Sequence, residues 1–68
     1  MDNIDVRKYI FSNFKDSDLQ ELKSSIVDSI TSGDDDPLIG LGVLFELLWK
    51  NSTPEEQNTI LNNIKKGM

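Results

Sequence analysis

The sequence contains neither cysteine nor histidine. Without cysteine the chain can form no disulfide, thiolate nucleophile or zinc site of the usual cysteine type. Without histidine it lacks the side chain that most often performs acid-base catalysis near neutral pH and that most often binds metals. These absences exclude most classes of catalytic centre, and we expect no enzyme, no cofactor and no specific metal site.

Basic residues are also few. The 68 residues include 12 acidic and 7 basic ones, for a net charge of -5 and an isoelectric point near 4.4. Residues 1–36 hold nine acids and four bases, so this half carries the whole negative excess. Binding to a phosphate backbone requires clustered cations, and the basic residues here are scattered. We therefore expect no nucleic-acid partner, and any partner attracted at long range should be cationic.

Alanine is absent, so the 37% of residues that are apolar are mostly large side chains. They are enough for one small domain, 1–68, with a core so limited that a partner could be needed for stability. The longest apolar segment, Leu38 to Trp49, is too short to cross a bilayer. The polar start, MDNIDVRKY, does not resemble a secretory signal. We expect a single helical domain that stays in the cytoplasm and spans no membrane.

Apolar residues recur three and four positions apart, which predicts short helices. The first helix should be capped by Asn3 or Asp5 and end at about Phe14. Ser17, with Gln20 three residues later, predicts a capping box at the start of the second helix. The predicted inner faces are Val6, Tyr9, Ile10 and Phe14 in the first helix and Leu19, Leu22, Ile26 and Ile30 in the second.

The end of the second helix and the start of the third are marked by glycine and proline. Gly33 predicts that the second helix ends near Ser32, because a helix terminus often needs a left-handed residue. Pro37, capped by Asp36, could be the first residue of the third helix. Two glycines shortly afterwards disfavour helix, so a start near Leu41 is the alternative.

The fourth helix has a strong start signal. Thr53 should cap it, Pro54 should occupy its first position, and Glu56 should complete a capping box. Its apolar stripe is narrow, with Ile60, Leu61 and Ile64. The sequence thus predicts an all-α class: a small bundle of three or four short helices around an apolar third helix.

Three polar features suggest chemistry only weakly. Asp34–Asp36 lacks the alternating carboxylates and the distant glutamate of a calcium loop, so we interpret it as a solvated connector. Gly40–Gly42 lacks the preceding strand and the further glycine or lysine of a phosphate-binding loop. Glu46 lies within the apolar segment, and we expect it to face solvent and pair with Lys50 one turn later.

The third helix is the candidate interaction surface. Leu38 to Trp49 contains nine large apolar side chains, more than the narrow stripes of the other helices can cover. We expect the uncovered part to bind a partner, either a second copy as a homodimer or another protein. The candidate surface residues are Leu41, Leu44, Phe45, Leu48 and Trp49.

Two segments carry a distinctive pattern: Ile26–Gly33 and Gly40–Trp49, of which the run GLGVLFE followed by tryptophan is the most specific part. They resemble the I-type family of small acid-soluble spore proteins, which are minor spore-core proteins of endospore-forming bacteria. On this resemblance, the expected partner is a second copy or an unknown spore protein. Arg7 and Asn13 also fit the family pattern. Where the family usually has proline directly before Gly-Leu-Gly, this chain has Ile39 and places its proline two residues earlier.

The resemblance implies a forespore protein packaged in the spore core, and it brings no reaction, ligand or catalytic residue. The leading hypothesis is therefore a non-enzymatic protein with a structural or protein-interaction role in sporulation. One alternative is a DNA-associated spore protein, although the abundant DNA-coating spore proteins are a different family. The other is an acidic protein that buffers cations.

Overall fold

The computed structural model describes residues 5–68, which form four helices joined by short connections. They are α1 (Val6–Phe14), α2 (Leu19–Thr31), α3 (Leu38–Lys50) and α4 (Pro54–Lys66). No strand occurs in this part of the chain, so the predicted all-α class is confirmed. None of these four helices is long and apolar enough to cross a membrane.

Side-chain caps define the starts of α1 and α4. The Asp5 carboxylate accepts the Lys8 N–H at 3.1 Å, while Asn3, the alternative cap, lies outside the described residues. At α4 the predicted capping box is present. Thr53 Oγ1 accepts the Glu56 N–H at 3.2 Å, and Glu56 Oε1 accepts the Thr53 N–H at 2.7 Å. These groups satisfy backbone donors that the helix itself leaves free.

The predicted cap of α2 was wrong by one residue. Asp18, not Ser17, precedes the helix: its carboxylate accepts the Glu21 N–H at 2.8 Å, and Glu21 Oε1 accepts the Asp18 N–H at 3.0 Å. Ser17 instead donates its backbone N–H to Phe14 and still belongs to the preceding turn. The physical reason is charge: two carboxylates at a helix N-terminus suit the positive end of the helix dipole better than a hydroxyl and an amide.

The connection from α2 to α3 resolves the two predicted starts of the third helix. Gly33 has φ of +74°, which confirms the left-handed end of α2. The next helix begins at Leu38, directly after Pro37, and not near Leu41. Pro37 accepts the Leu41 N–H at 3.0 Å, so both glycines lie inside the helix. Among residues 5–68 no side chain caps this end, so the expected Asp36 cap is not formed.

α3 is the central element, and α1 and α2 both pack against it. α4 is joined to it by a hydrogen bond from Gln57 Nε2 to the Trp49 carbonyl at 3.1 Å. Val43, 9% exposed, is the one buried residue of the described part of the chain. The Cα radius of gyration is 13.3 Å, against about 11 Å expected for a compact domain of this length. The bundle is open, with a small core on one side of α3.

The predicted inner faces of α1 and α2 were only partly right. In α2, Leu22 and Ile26 are half-buried, but Leu19 is 85% exposed and Ile30 is 67% exposed. Each i,i+4 step advances about 40° around a helix, so Ile30 lies about 80° from Leu22 and leaves the contact with α3. Ser25 and Ser29 are half-buried instead and line a cleft together with residues of α1 and α3. In α1 the half-buried residues are Ile10 and Phe14, while Val6 and Tyr9 are exposed.

Candidate protein-interaction surface on the third helix

α3 is apolar on nearly every side, and its neighbours cover only some of those sides. Leu44 and Leu47 are half-buried beneath α1 and α2, whereas Phe45 is 42% exposed and Leu48 is 50% exposed. A helix with apolar residues all round normally lies in a core. Here part of that apolar surface faces solvent.

The five residues predicted as the interaction surface lie together, and we call them the α3 surface. Four of them line an open groove of about 490 Å³ between α2 and α3, and the fifth, Trp49, stacks on Phe45 with ring centroids 6.1 Å apart and planes inclined by 28°. The groove is lined by Leu22, Ile26, Leu41, Leu44, Phe45, Leu47 and Leu48. Every lining residue is apolar, so the groove suits an apolar side chain or helix face.

The α2 side of this groove was not predicted as part of the surface. Leu22 and Ile26 were expected to be covered, yet they form the opposite wall of the groove. The sequence identifies them as an apolar stripe, but it contains no signal for how far α2 lies from α3. The distance between two packed helices depends on the side chains between them, and the half-buried Ser25 and Ser29 of α2 are small.

Two smaller clefts flank α1. One, of about 340 Å³, is lined mainly by apolar residues of α1 and α3, with Lys15 at its edge. The other, of about 240 Å³, includes the polar residues Asn13, Ser25, Ser29 and Asp36. Ser29 Oγ donates to the Ser25 carbonyl at 2.8 Å, which is a common local bond within a helix.

An ion pair joins α1 to α3 at the edge of this assembly. Arg7 Nε donates to Glu46 Oε1 at 2.6 Å, and Arg7 Nη2 donates to Glu46 Oε2 at 2.8 Å. The predicted pairing of Glu46 with Lys50 was therefore wrong. The forked geometry of a guanidinium matches a carboxylate, which a lysine one turn away cannot do. No local pattern indicates a pairing across 39 residues.

The pair also shifts the ionisation of both partners. The hydrogen bonds from Arg7 lower the pKa of Glu46, the charges of Arg7 and Lys50 lower it further, and partial burial opposes them. The pKa of Arg7 is raised, chiefly by its hydrogen bond to Glu46. Both groups are thus held in their charged forms, which suits a structural clamp between two helices.

The other polar features form no assembled site. Gly40–Gly42 lies within helix α3, where its backbone groups belong to the helical hydrogen bonds, so it is no phosphate-binding loop. In the part of the chain that the structure describes, no three acidic side chains are grouped so as to hold a metal ion. The connector Asp34–Asp36 is exposed.

Known proteins match this chain over nearly its whole length. The family model of small, acid-soluble spore protein I matches residues 4–68. This chain belongs to that family. The small, acid-soluble spore protein I of Halalkalibacterium halodurans is 39% identical over 66 residues, which is 97% of each chain. That of Bacillus cytotoxicus is 36% identical over 66 residues, covering 97% of this chain and 94% of the relative. No solved structure matches.

Membership of the small, acid-soluble spore protein I family confirms the resemblance found in the sequence. Two of the residues that carry that resemblance, Arg7 and Glu46, form the clamp between α1 and α3. Asn13 lies in the cleft beside α1. In Gly40, an added Cβ would lie 3.4 Å from Ile10 Cδ1, so α1 occupies the space in front of this glycine. These residues contribute to how α1 sits on α3.

Proposed function

We propose that this protein has a non-enzymatic role in sporulation, and that it acts by protein contact through the α3 surface. The observation that supports this most directly is the groove beside α3, where Leu41, Leu44, Phe45 and Leu48 remain partly exposed in a chain too small to cover them. Contiguous exposed apolar surface on a small protein is typical of protein contact sites.

The character of the groove favours binding over catalysis. Its lining has no ionisable side chain and no hydroxyl, whereas general acid-base or nucleophilic catalysis needs such groups to converge on one point. Glu46, the acidic residue of α3, is half-buried and held by Arg7 in a structural contact. We therefore assign α3 a binding role.

Affinity capture from spore extracts tests this function. The tagged wild-type chain is compared with Phe45→Ser and, as a matched control, with Phe11→Ser, since both phenylalanines are 42% exposed. Wild type and Phe11→Ser should retain the same spore proteins, and Phe45→Ser should lose them. Equal retention by Phe45→Ser would contradict the role of the α3 surface. Release of the retained material by nuclease would favour the DNA-associated alternative.

Location in the spore core is the second part of the proposal. It is supported by membership of a spore-protein family and by the expectation that the chain stays in the cell that makes it. A fluorescent fusion should appear in the forespore and remain in the core of the mature spore. A signal confined to the mother cell or to the spore coat would contradict this location.

A further inference from the structure

α3 contains two glycines, and only one of them has a reason within the chain. In Gly40 the side-chain position faces Ile10 of α1. Gly42 is exposed, and apart from its chain neighbours and the adjacent helix backbone, no atom of the described residues lies within 4 Å of the place where its Cβ would be. A glycine inside a helix costs about 1 kcal/mol relative to alanine. At Gly42, no packing contact within the described residues offsets that cost.

The neighbours of Gly42 on the helix suggest what the missing side chain permits. Leu38 lies one turn before it, and Phe45 one turn after it, on the same face; both are exposed. Trp49 continues this face and stacks on Phe45. Gly42 is therefore a notch bordered by these apolar side chains on one side and by Glu46, one turn later, on the other. Glycine allows a second backbone to approach closely, and the separation of two packed helices depends on the side chains at their crossing point.

We propose that a second copy of this chain packs against this face, with the two α3 helices antiparallel and crossing at Gly42 about a twofold axis. This inference rests on the proposed function of the α3 surface. Gly42 is the fifth of the thirteen residues of Leu38–Lys50, and a twofold axis at this position places the notch of one helix against the notch of the other. In this register Phe45 of one copy lies opposite Ile39 of the other, and this apolar contact occurs twice by symmetry.

Charge favours the antiparallel direction. Asp34–Asp36 directly precedes α3, and Lys50 ends it; all four residues are exposed. In a parallel pair the two acidic connectors would lie side by side and repel each other. In an antiparallel pair each Lys50 lies towards the acidic connector of the other copy, and this favourable contact occurs twice by symmetry.

The exposed area of the chain is consistent with such a dimer. The chain exposes 5749 Å², whereas a compact monomer of 7.7 kDa would expose about 4,300 Å². This surplus belongs to the chain as a whole; on the face proposed for the dimer, Leu38 is 56% exposed and Phe45 is 42% exposed. A second copy also supplies apolar contacts that this small core lacks.

Sedimentation equilibrium of the purified full chain tests the dimer. Three proteins are compared: wild type, Gly42→Gln, and the control Ser24→Gln, which adds the same side chain at an exposed position of α2. Wild type and Ser24→Gln should dimerise with equal affinity, and Gly42→Gln should weaken the dimer by at least about tenfold. Circular dichroism should show no loss of helix in Gly42→Gln, because glutamine favours helix over glycine.

Two results would overturn the dimer proposal in this experiment. One is a wild-type chain that remains monomeric at about 100 µM. The other is a Gly42→Gln dimer as tight as that of wild type. If the purified chain is monomeric but still retains spore proteins through Phe45, the dimer proposal fails and the proposed function stands. If Phe45→Ser captures spore proteins as well as wild type does, the proposed function fails whatever the oligomeric state of the purified chain.

Disulfide cross-linking tests the crossing point independently of the stability of Gly42→Gln. The chain has no cysteine, so Gly42→Cys introduces a single thiol. A twofold axis at this residue brings the two Cα atoms within the roughly 7 Å reach of a disulfide. Gly42→Cys should form a linked dimer under mild oxidation much faster than the control Ser24→Cys. Equal rates would overturn the proposed crossing.

Charge reversal tests the direction. Lys50→Glu should weaken the dimer, and the double variant Lys50→Glu, Asp36→Lys should restore it, because the two charges face each other only in the antiparallel pair. Absence of restoration in the double variant would overturn the antiparallel arrangement.

Discussion

Among single residues, Arg7 and Glu46 form a pair that local sequence does not predict. A glutamate four residues before a lysine on a helix predicts a local pair, and Glu46 lies in that position relative to Lys50. The guanidinium of Arg7 instead reaches the carboxylate from another helix and makes two short hydrogen bonds. The ion pair thereby fastens α1 to α3, which a pair within one helix cannot do.

This pairing predicts a pH-dependent contribution to stability. The hydrogen bonds from Arg7 lower the pKa of Glu46 below its ordinary value in the folded chain. The contribution is therefore complete above the unfolded pKa and is lost as the pH falls through the lower, folded value. The difference in Tm between wild type and Glu46→Gln should be constant near neutral pH and should shrink below about pH 4.

A matched pair of variants identifies the partner of Glu46. Arg7→Met should remove most of the pH-dependent change in Tm that Glu46 contributes. Lys50→Met should remove little of it, because Lys50 acts on Glu46 only through its charge at a distance. Both effects should diminish in high salt, since the pair is partly exposed. Equal effects of the two substitutions would show that the local pair forms in solution.

At the scale of elements, the helix ends are where local sequence has the greatest control. The start of α4, the left-handed Gly33 and the end of α2 were all predicted correctly. A cap forms between residues two or three apart, so its chemistry is fully contained in the sequence. The cap of α2 was misassigned because two overlapping patterns compete there, and the more acidic one forms the helix start.

Substitution at the start of α2 distinguishes these two patterns. Asp18→Ala should lower the free energy of unfolding by about 1 kcal/mol, because it removes the acceptor for the Glu21 N–H. Ser17→Ala should change it by less than about 0.5 kcal/mol. Urea unfolding followed by Trp49 fluorescence provides the measurement. A larger effect of Ser17→Ala would restore the capping box first predicted from the sequence.

Substitution at the end of α2 tests the left-handed residue. Gly33→Val should destabilise the fold by about 1 kcal/mol or more, since a β-branched residue strongly resists φ of +74°. An added Cβ would lie more than 4 Å from every atom of the described residues other than its chain neighbours, so the cost arises mainly from backbone strain. Gly33→Asn is the control and should cost less, because asparagine tolerates this conformation. Equal unfolding midpoints for all three proteins would contradict this account.

At the scale of the whole molecule, the chain combines an open apolar surface with a negative net charge. Val43 is the one buried residue in the described range, while many large apolar side chains remain exposed. The charge of -5 arises in the N-terminal half. Such a molecule is suited to apolar protein contact and poorly suited to attraction by phosphate groups.

The charge predicts the outcome of a DNA-binding measurement. A gel shift at about 150 mM salt should show no complex in the low-micromolar range, because scattered lysines on an acidic chain release few counterions. A cationic DNA-binding peptide run alongside provides the positive control. A low-micromolar complex at this salt concentration would support the DNA-associated alternative.

The sequence by itself determined the all-α class, the capping box that starts α4 and the glycine that ends α2. Amphipathic spacing and helix caps involve residues about one turn apart, so they can be identified from the sequence without knowing the fold. The family also followed from the sequence, because the most specific run, Gly40–Trp49, is contiguous.

Only the tertiary structure decided which apolar residues are covered. Leu19 and Ile30 belong to the same stripe as Leu22 and Ile26, yet they turn away from α3 at the ends of the crossing. The choice of Arg7 as partner of Glu46 and the open space before Gly42 also depend on where one helix lies on another. Helix crossings are set by the summed packing of side chains far apart in the chain, and no local pattern encodes that sum.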